Sequence, residues 1–111
     1  MADDDQALAQ HTPRWHKVAA PDALADDAVM PALAGDRLIA LTRMQGNYGA
    51  LGNACPHAGG PLGEGCIEYG VLVCPWHGRE FHPVTGEPQG HAQPVRSYPV
   101  EVRADGIYVF V

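Results

Sequence analysis

The sequence predicts an all-β domain made of many short strands. Thirteen Gly and ten Pro residues are spread along the 111-residue chain, and the apolar runs between them are short. Frequent turn formers between short apolar runs are typical of strands joined by turns rather than of helices. A chain of this length is enough for one domain with one modest core, without a second catalytic domain of ordinary size.

Strands are predicted in chain order from the apolar segments and the turns between them. They lie at residues 15–18, 28–33, 37–44, 48–51, 67–69, 71–73, 95–103 and 107–111. The turns between them are predicted at Gly35-Asp36, Gly46-Asn47, Gly70 and Asp105-Gly106, and a loop or short helical turn at 21–27. Pro99 interrupts the strand at 95–103, which indicates an edge position or a bulge there.

The charge balance excludes some classes of partner. Charged residues are 18% of the chain and the formal net charge is -6, which argues against nucleic acid or an anionic membrane surface. A partner with a basic docking face would suit the chain better. Residues 1–13 are predicted to be a flexible acidic tail, and they lack the basic and apolar regions of a secretory signal. No apolar run approaches the roughly 20 residues that span a bilayer.

Two short clusters of Cys and His carry the chemistry. Cys55-Pro56-His57 is followed, after sixteen residues, by Cys74-Pro75-Trp76-His77. This pattern resembles the ligand set of a Rieske [2Fe–2S] centre, in which two Cys hold one iron and two His hold the other. A structural zinc site is the chief alternative because zinc also takes two Cys and two His, although it more often uses Cys-x2-4-Cys and His-x3-5-His spacing.

Mixed ligation has an electrostatic consequence. An oxidised [2Fe–2S] core with two thiolates and two neutral imidazoles is uncharged, whereas four thiolates would make it a dianion. Adding an electron to an uncharged site costs less, which raises the potential from about -400 mV to between about -150 and +300 mV. The electron should reside on the His-ligated iron, so His57 and His77 are its expected exit. Trp76 and Pro61 are expected to cover the cluster and exclude water.

The third cysteine, Cys66, has no partner in this pattern. A disulfide framework is therefore not expected, and reduced thiols indicate a cytoplasmic protein. We expect a partly buried thiol at Cys66.

Over residues 15–111 the chain resembles the Rieske family. The motifs that carry the resemblance are the two ligand clusters, the Gly-Gly-Pro-Leu-Gly run after His57, and Gly78-Arg79-Glu80-Phe81 after His77. The resemblance implies an antiparallel β-sandwich at residues 14–111 with a small cluster-binding subdomain at about 52–82. It also implies one [2Fe–2S] cluster, with Cys55, His57, Cys74 and His77 as its ligands.

The departures from the respiratory branch of the family define a second resemblance. Respiratory members join an extra Cys in each ligand loop as a disulfide, and the equivalent positions here are Gly60 and Trp76. Their Ser and Tyr donors are matched by Arg79 and Phe81, and Phe81 has no donor. The chain therefore resembles the low-potential ferredoxins of aromatic-ring-hydroxylating oxygenases, although it has His82 where family members commonly have Asp.

This resemblance implies a one-electron carrier without catalytic residues of its own. It would pass electrons from a flavin-dependent ferredoxin reductase to a terminal non-haem iron oxygenase. Docking of these partners is expected on the apolar surface around the ligands, at Pro56, His57, Pro61, Trp76 and His77. The alternative is the small Rieske subunit of a reductase complex of the nitrite reductase type, and a structural zinc module is a third possibility.

Overall fold

The chain folds into three antiparallel sheets. The computed structural model describes residues 12–56, 58–76, 78–90 and 93–111. The strands are β1 (Trp15–Ala19), β2 (Ala28–Ala34), β3 (Arg37–Met44), β4 (Asn47–Gly52), β5 (Cys66–Glu68), β6 (Val71–Val73), β7 (Glu80–Phe81), β8 (Ser97–Tyr98), β9 (Val100–Arg103) and β10 (Gly106–Phe110), with a 3-10 helix at Leu62–Glu64. The sheet orders are β1-β10-β9, β2-β3-β4-β8 and β5-β6-β7. The predicted all-β class is confirmed.

Strand β3 is buried on both faces and separates two cores. Successive side chains of a strand point to opposite faces, and four consecutive β3 residues, 39–42, are all buried. Ile39 and Leu41 belong to the first core, and Ala40 belongs to the second. The first core also contains Leu24, Ala32, Ala34, Ala50, Ile107, Val109 and Val111. The second also contains Leu51, Cys55, Leu62, Leu72, Cys74, Phe81 and Val95, so it joins the β2-β3-β4-β8 sheet to both motif cysteines.

Two of the predicted turns lie one residue earlier than expected. Met44 pairs with Asn47, so the β3–β4 turn is Gln45-Gly46, and both residues have positive φ, at 52° and 79°. Positive φ at both central residues is the pattern of the type I′ turn, whose twist matches that of a two-residue hairpin. The β9–β10 turn likewise precedes Gly106, which already pairs with Arg103.

The predicted strand at 95–103 is two strands in different sheets. Pro99 separates β8, which pairs with β4, from β9, which pairs with β10. Both β8 and β9 are edge strands, so the edge position predicted from Pro99 is confirmed. Proline lacks the N–H that a continuous ladder requires, and the chain changes sheet at this residue.

The 3-10 helix was not predicted, and Asn53 holds it on the end of β4. The Leu62 N–H donates to the Asn53 backbone oxygen at 2.7 Å, and the Gly63 N–H donates to Asn53 Oδ1 at 2.8 Å. In the described part of the chain, no helix is long and apolar enough to cross a membrane. The acidic tail falls almost wholly outside the described residues, and the proposed limits 14–111 and 52–82 stay predictions.

Candidate metal centre

The first Cys loop, residues 55–60, is closed by two backbone hydrogen bonds. The Cys55 N–H donates to the Gly60 oxygen at 2.8 Å, and the Gly59 N–H donates to the Cys55 oxygen at 2.7 Å. Gly59 adopts φ of 77°, a left-handed conformation that glycine reaches without a steric penalty. The loop follows directly from β4 and the bridge between Ala54 and Pro61.

The second Cys loop, residues 74–79, has the same hydrogen-bond pattern. The Cys74 N–H donates to the Arg79 oxygen at 2.8 Å, and the Gly78 N–H donates to the Cys74 oxygen at 3.1 Å. Gly78 has φ of 70°, matching Gly59 of the first Cys loop. The strands β6 and β7 hold this loop at its two ends. The two motif cysteines therefore occupy equivalent positions in two loops of the same shape.

Both motif cysteines are buried but unbridged. Cys55 is 3% exposed and Cys74 is 2% exposed, both lie in the second core, and neither forms a disulfide. Cysteine thiolates are soft ligands that suit iron–sulfur clusters and zinc. This donor chemistry fits an iron–sulfur cluster held at the two loops, and it equally fits zinc.

Gly60 brings the two Cys loops together. A Cβ at this residue would lie 2.8 Å from Cys74 Sγ and 3.0 Å from Trp76 Cγ, so only glycine lets the first loop pass this close. Trp76 is 57% exposed, and it covers Gly60 on the side of the Cys74 sulfur. Gly60 and Trp76 are the positions at which respiratory members were expected to form a disulfide, and here they are in contact.

The two predicted imidazole ligands, His57 and His77, lie outside the described residues. In the ranges that are described, no group of three or more His, Cys, Asp or Glu side chains could hold a metal ion. The structure therefore places Cys55 and Cys74 in the same buried core, and the assignment of all four ligands stays a prediction.

Two other predicted residues have environments that bear on the site. Phe81 is fully buried in the second core beside the two cysteines, as a residue without a hydrogen-bond donor. Cys66 is exposed, so the expectation of a partly buried thiol is wrong. It begins the edge strand β5 opposite Val73. Side chains alternate along this strand, so that Ile67 packs against the second core and Cys66 faces the other way, towards solvent.

A third loop, residues 82–87, repeats the pattern of the Cys loops. The sequence predicts a turn at Thr85-Gly86, but not that this turn repeats the Cys loops. The His82 N–H donates to the Glu87 oxygen at 2.8 Å, and the Gly86 N–H donates to the His82 oxygen at 2.9 Å. Gly86 has φ of 78°. The signal was present, because a glycine stands four residues after Cys55, Cys74 and His82 alike. His82 thus holds in the third loop the position that a cysteine holds in the other two.

The fold and the two loops agree with the comparisons to known proteins. The family described as Rieske [2Fe-2S] domain matches residues 14–99, and the chain belongs to this family. The Rieske fold is thereby confirmed, and the cofactor that membership implies is one [2Fe–2S] cluster.

Relatives of similar length are ferredoxins. The anthranilate 1,2-dioxygenase ferredoxin subunit of Burkholderia cepacia is 32% identical over 90 residues, which are 79% of this chain and 83% of that protein. A ferredoxin–oxygenase complex structure of carbazole 1,9a-dioxygenase matches with a TM-score of 0.77 and 28% identity, covering 86% of this chain and 92% of the matched one. Human apoptosis-inducing factor 3 is 33% identical over 73 residues, which are 64% of this chain but only 12% of that protein.

Proposed function

We propose that this chain is the ferredoxin of a multicomponent oxygenase of the aromatic-ring-hydroxylating type. It accepts one electron at a time from a flavin-dependent reductase and delivers it to a terminal non-haem iron oxygenase. The observation that carries the proposal is the pair of buried, unbridged cysteines in two loops of the same shape. The similarity over most of the length of two dioxygenase ferredoxins supports the same conclusion. The reaction with oxygen belongs to the partner, so this chain needs no catalytic residue.

The proposed ligands are Cys55 and Cys74 on one iron and His57 and His77 on the other. When bound, the cluster supplies a site that gains and loses a single electron. The chain's contribution is to hold two thiolates in an apolar core and to exclude water on the side covered by Trp76. The backbone bonds that close each Cys loop fix the position of the cysteine backbone.

The proposed docking surface consists of the exposed residues Pro56 and Trp76 with Pro61 and the two ligand histidines. Pro56 and Trp76 are exposed next to buried cysteines, which gives a partner a short approach to the cluster. Between residues 53 and 90 the chain carries four acidic side chains and only one Arg. Acidic residues around the docking surface favour a partner with basic residues at the edge of its own interface, because complementary charge raises the rate of encounter.

We place this carrier in the cytoplasm. Cys66 is an exposed thiol without a disulfide partner, and such a thiol persists in a reducing compartment. Neither nucleic acid nor a membrane is proposed as a partner, because the net charge of -6 would oppose binding to either polyanion.

Electron transfer to an oxygenase tests the proposal. The dithionite-reduced protein, freed of excess dithionite, is mixed with the carbazole or the anthranilate oxygenase, and its reoxidation is followed by absorbance. We expect Trp76→Glu to slow transfer by about tenfold or more, since a charge at a desolvated contact costs over 1.4 kcal/mol. Tyr69→Glu is the control, because Tyr69 is an even more exposed aromatic and lies at the far end of the β5–β6 hairpin.

The two parts of the proposal fail differently. Equal transfer rates for Trp76→Glu and Tyr69→Glu would disprove the docking surface while leaving the electron carrier intact. A wild-type protein that holds its cluster but reduces neither oxygenase would contradict the proposed function. The potentials of both variants are measured alongside, so that a change in driving force is not mistaken for a change in docking.

A further inference from the structure

The imidazole of His82 accepts hydrogen bonds inside the third loop. Its Nδ1 atom lies 3.1 Å from the Val84 nitrogen and 3.2 Å from the Thr85 nitrogen, and both N–H groups donate to it. A neutral imidazole carries its proton on one nitrogen and accepts with the other, so the proton of His82 resides on Nε2. A charged imidazolium carries protons on both nitrogens and cannot accept either bond.

The third loop is firmly attached to the rest of the molecule. Pro83 is buried, and its oxygen accepts a 2.7 Å hydrogen bond from Thr42 Oγ1 of β3. Gly86 is also buried, and its oxygen accepts from the Val95 N–H at 3.0 Å. A change in the conformation of this loop therefore reaches the sheet beneath it and the 93–96 segment beside it.

The loop also borders the two cysteines through Phe81. This residue directly precedes His82, is fully buried in the second core with Cys55 and Cys74, and bridges to Pro88 beyond the loop. The third loop thus connects two residues, Phe81 and Pro88, that are joined to each other at one wall of the cysteine-bearing core.

We propose that His82 is a positioning residue whose unprotonated Nδ1 holds the third loop, and with it the Phe81 wall of the second core, in place. Protonation of the imidazole removes both hydrogen bonds at once, because Nδ1 can no longer accept. The new N–H hydrogen on Nδ1 then faces the N–H groups of Val84 and Thr85. The loop then opens in acid and closes again as the imidazole loses its proton. The effect of the loop on a cluster rests on the family assignment. The hydrogen bonds of His82 do not depend on that assignment.

Few charged groups surround this imidazole. The sheet beneath the loop presents Thr42 and Gly49, which do not titrate in this range. Glu80 on β7 and Glu87 in the loop are exposed, and neither forms an ion pair with the imidazole in the described structure. Arg79 before β7 and Arg96 beside the loop are the neighbouring cations. The acceptor role of Nδ1 is therefore the main structural consequence of the charge on His82.

Two substitutions keep a hydrogen-bond acceptor at position 82 but remove the imidazole that can be protonated. His82→Asn and His82→Asp both place an oxygen acceptor near the position of Nδ1, and neither acceptor becomes a cation between about pH 5 and pH 8. His82→Phe retains a ring of similar shape but has no acceptor. All three substitutions are made at one position, which lies five residues after the nearest proposed ligand in the sequence, His77.

Hydrogen–deuterium exchange of the cluster-loaded protein tests the proposal. Peptides covering residues 82–90 are followed at about pH 5 and about pH 8, on either side of the range in which histidines titrate, and rates are converted to protection factors. For the wild type we expect protection to fall several-fold in acid. His82→Asn and His82→Asp should keep the same protection at both pH values, and His82→Phe should show low protection at both.

Two outcomes would overturn the proposal. One is a wild-type pH profile that is repeated in His82→Asn, which would place the titrating group elsewhere. The other is full protection of the loop in His82→Phe, which would show that the acceptor does not hold it. The visible spectrum of each variant is recorded to verify that the cluster is present, so these results do not depend on electron-transfer activity.

Discussion

Gly60→Ala is the substitution that most directly tests how the two Cys loops are packed. A methyl group at this position would lie 2.8 Å from Cys74 Sγ and 3.0 Å from Trp76 Cγ. Carbon atoms in good contact are about 3.5–4.0 Å apart, so the overlap is close to 1 Å. Overpacking of this kind costs about 1–3 kcal/mol. Because one of the two overlapping atoms is a proposed ligand, we expect Gly60→Ala to lower both stability and cluster content.

The neighbouring substitution Gly59→Ala is the matched control. Gly59 has φ of 77°, and a Cβ there would have no atom of the described residues within 4 Å. An alanine in this left-handed conformation costs about 1–2 kcal/mol without touching any other group. The two variants should therefore lose similar stability for different reasons. Only Gly60→Ala should alter the surroundings of the Cys74 sulfur.

Iron content, the visible spectrum and thermal unfolding of both variants provide the measurement. Each kcal/mol should lower the melting temperature by roughly 4–8 °C. We expect Gly59→Ala to keep the wild-type iron content and spectrum, and Gly60→Ala to lose iron or shift the sulfur-to-iron absorption bands. A Gly60→Ala protein with wild-type stability, iron content and spectrum would refute the packing described for these loops.

Two further predictions concern single hydrogen bonds. Thr42→Val removes the donor to the buried Pro83 oxygen while keeping the shape of the side chain. It should lower the free energy of unfolding, measured in urea, by about 1–3 kcal/mol. An unchanged urea midpoint would contradict the attachment of the third loop to β3. Tyr108→Phe removes the hydroxyl that donates to Asp105 and holds the pKa of that carboxyl below its ordinary value. A lowered folded-state pKa stabilises the fold above the unfolded-state value of about 3.9 and loses this contribution as the pH falls through the lower value. The stability difference between wild type and Tyr108→Phe should therefore shrink in acid, and a difference that grows below about pH 4 would be inconsistent with this interaction.

The strands were predicted best where one face of the strand is apolar and the turn is determined by the residues within it. The β5–β6 hairpin illustrates this, because Tyr69 and Gly70 both adopt positive φ at the predicted turn. Residues close in the sequence determine the turn of this hairpin. The two Cys motifs were also recognised from their local spacing, and their role as ligands stays a prediction.

Features set by distant contacts were missed. The 3-10 helix depends on Asn53, some ten residues earlier, which accepts from Gly63. The change of sheet at Pro99 depends on which strands are already paired, so local sequence indicated only an edge or a bulge. The exposure of Cys66 follows from which face of β5 packs on the second core, because Ile67 faces that core and Cys66 does not. The acceptor role of His82 was also missed, because in turns the side-chain acceptor is commonly the oxygen of Asn, Asp, Ser or Thr. Here an imidazole nitrogen accepts the backbone hydrogen bonds instead.

The electron paramagnetic resonance spectrum of the dithionite-reduced protein, with iron and sulfide assays on the same sample, tests the central claim most directly. Mixed ligation by two Cys and two His predicts a paramagnetic signal from the one-electron-reduced cluster, with two irons and two sulfides per chain. A silent sample that contains one zinc per chain would contradict the account and leave a structural module in place of an electron carrier.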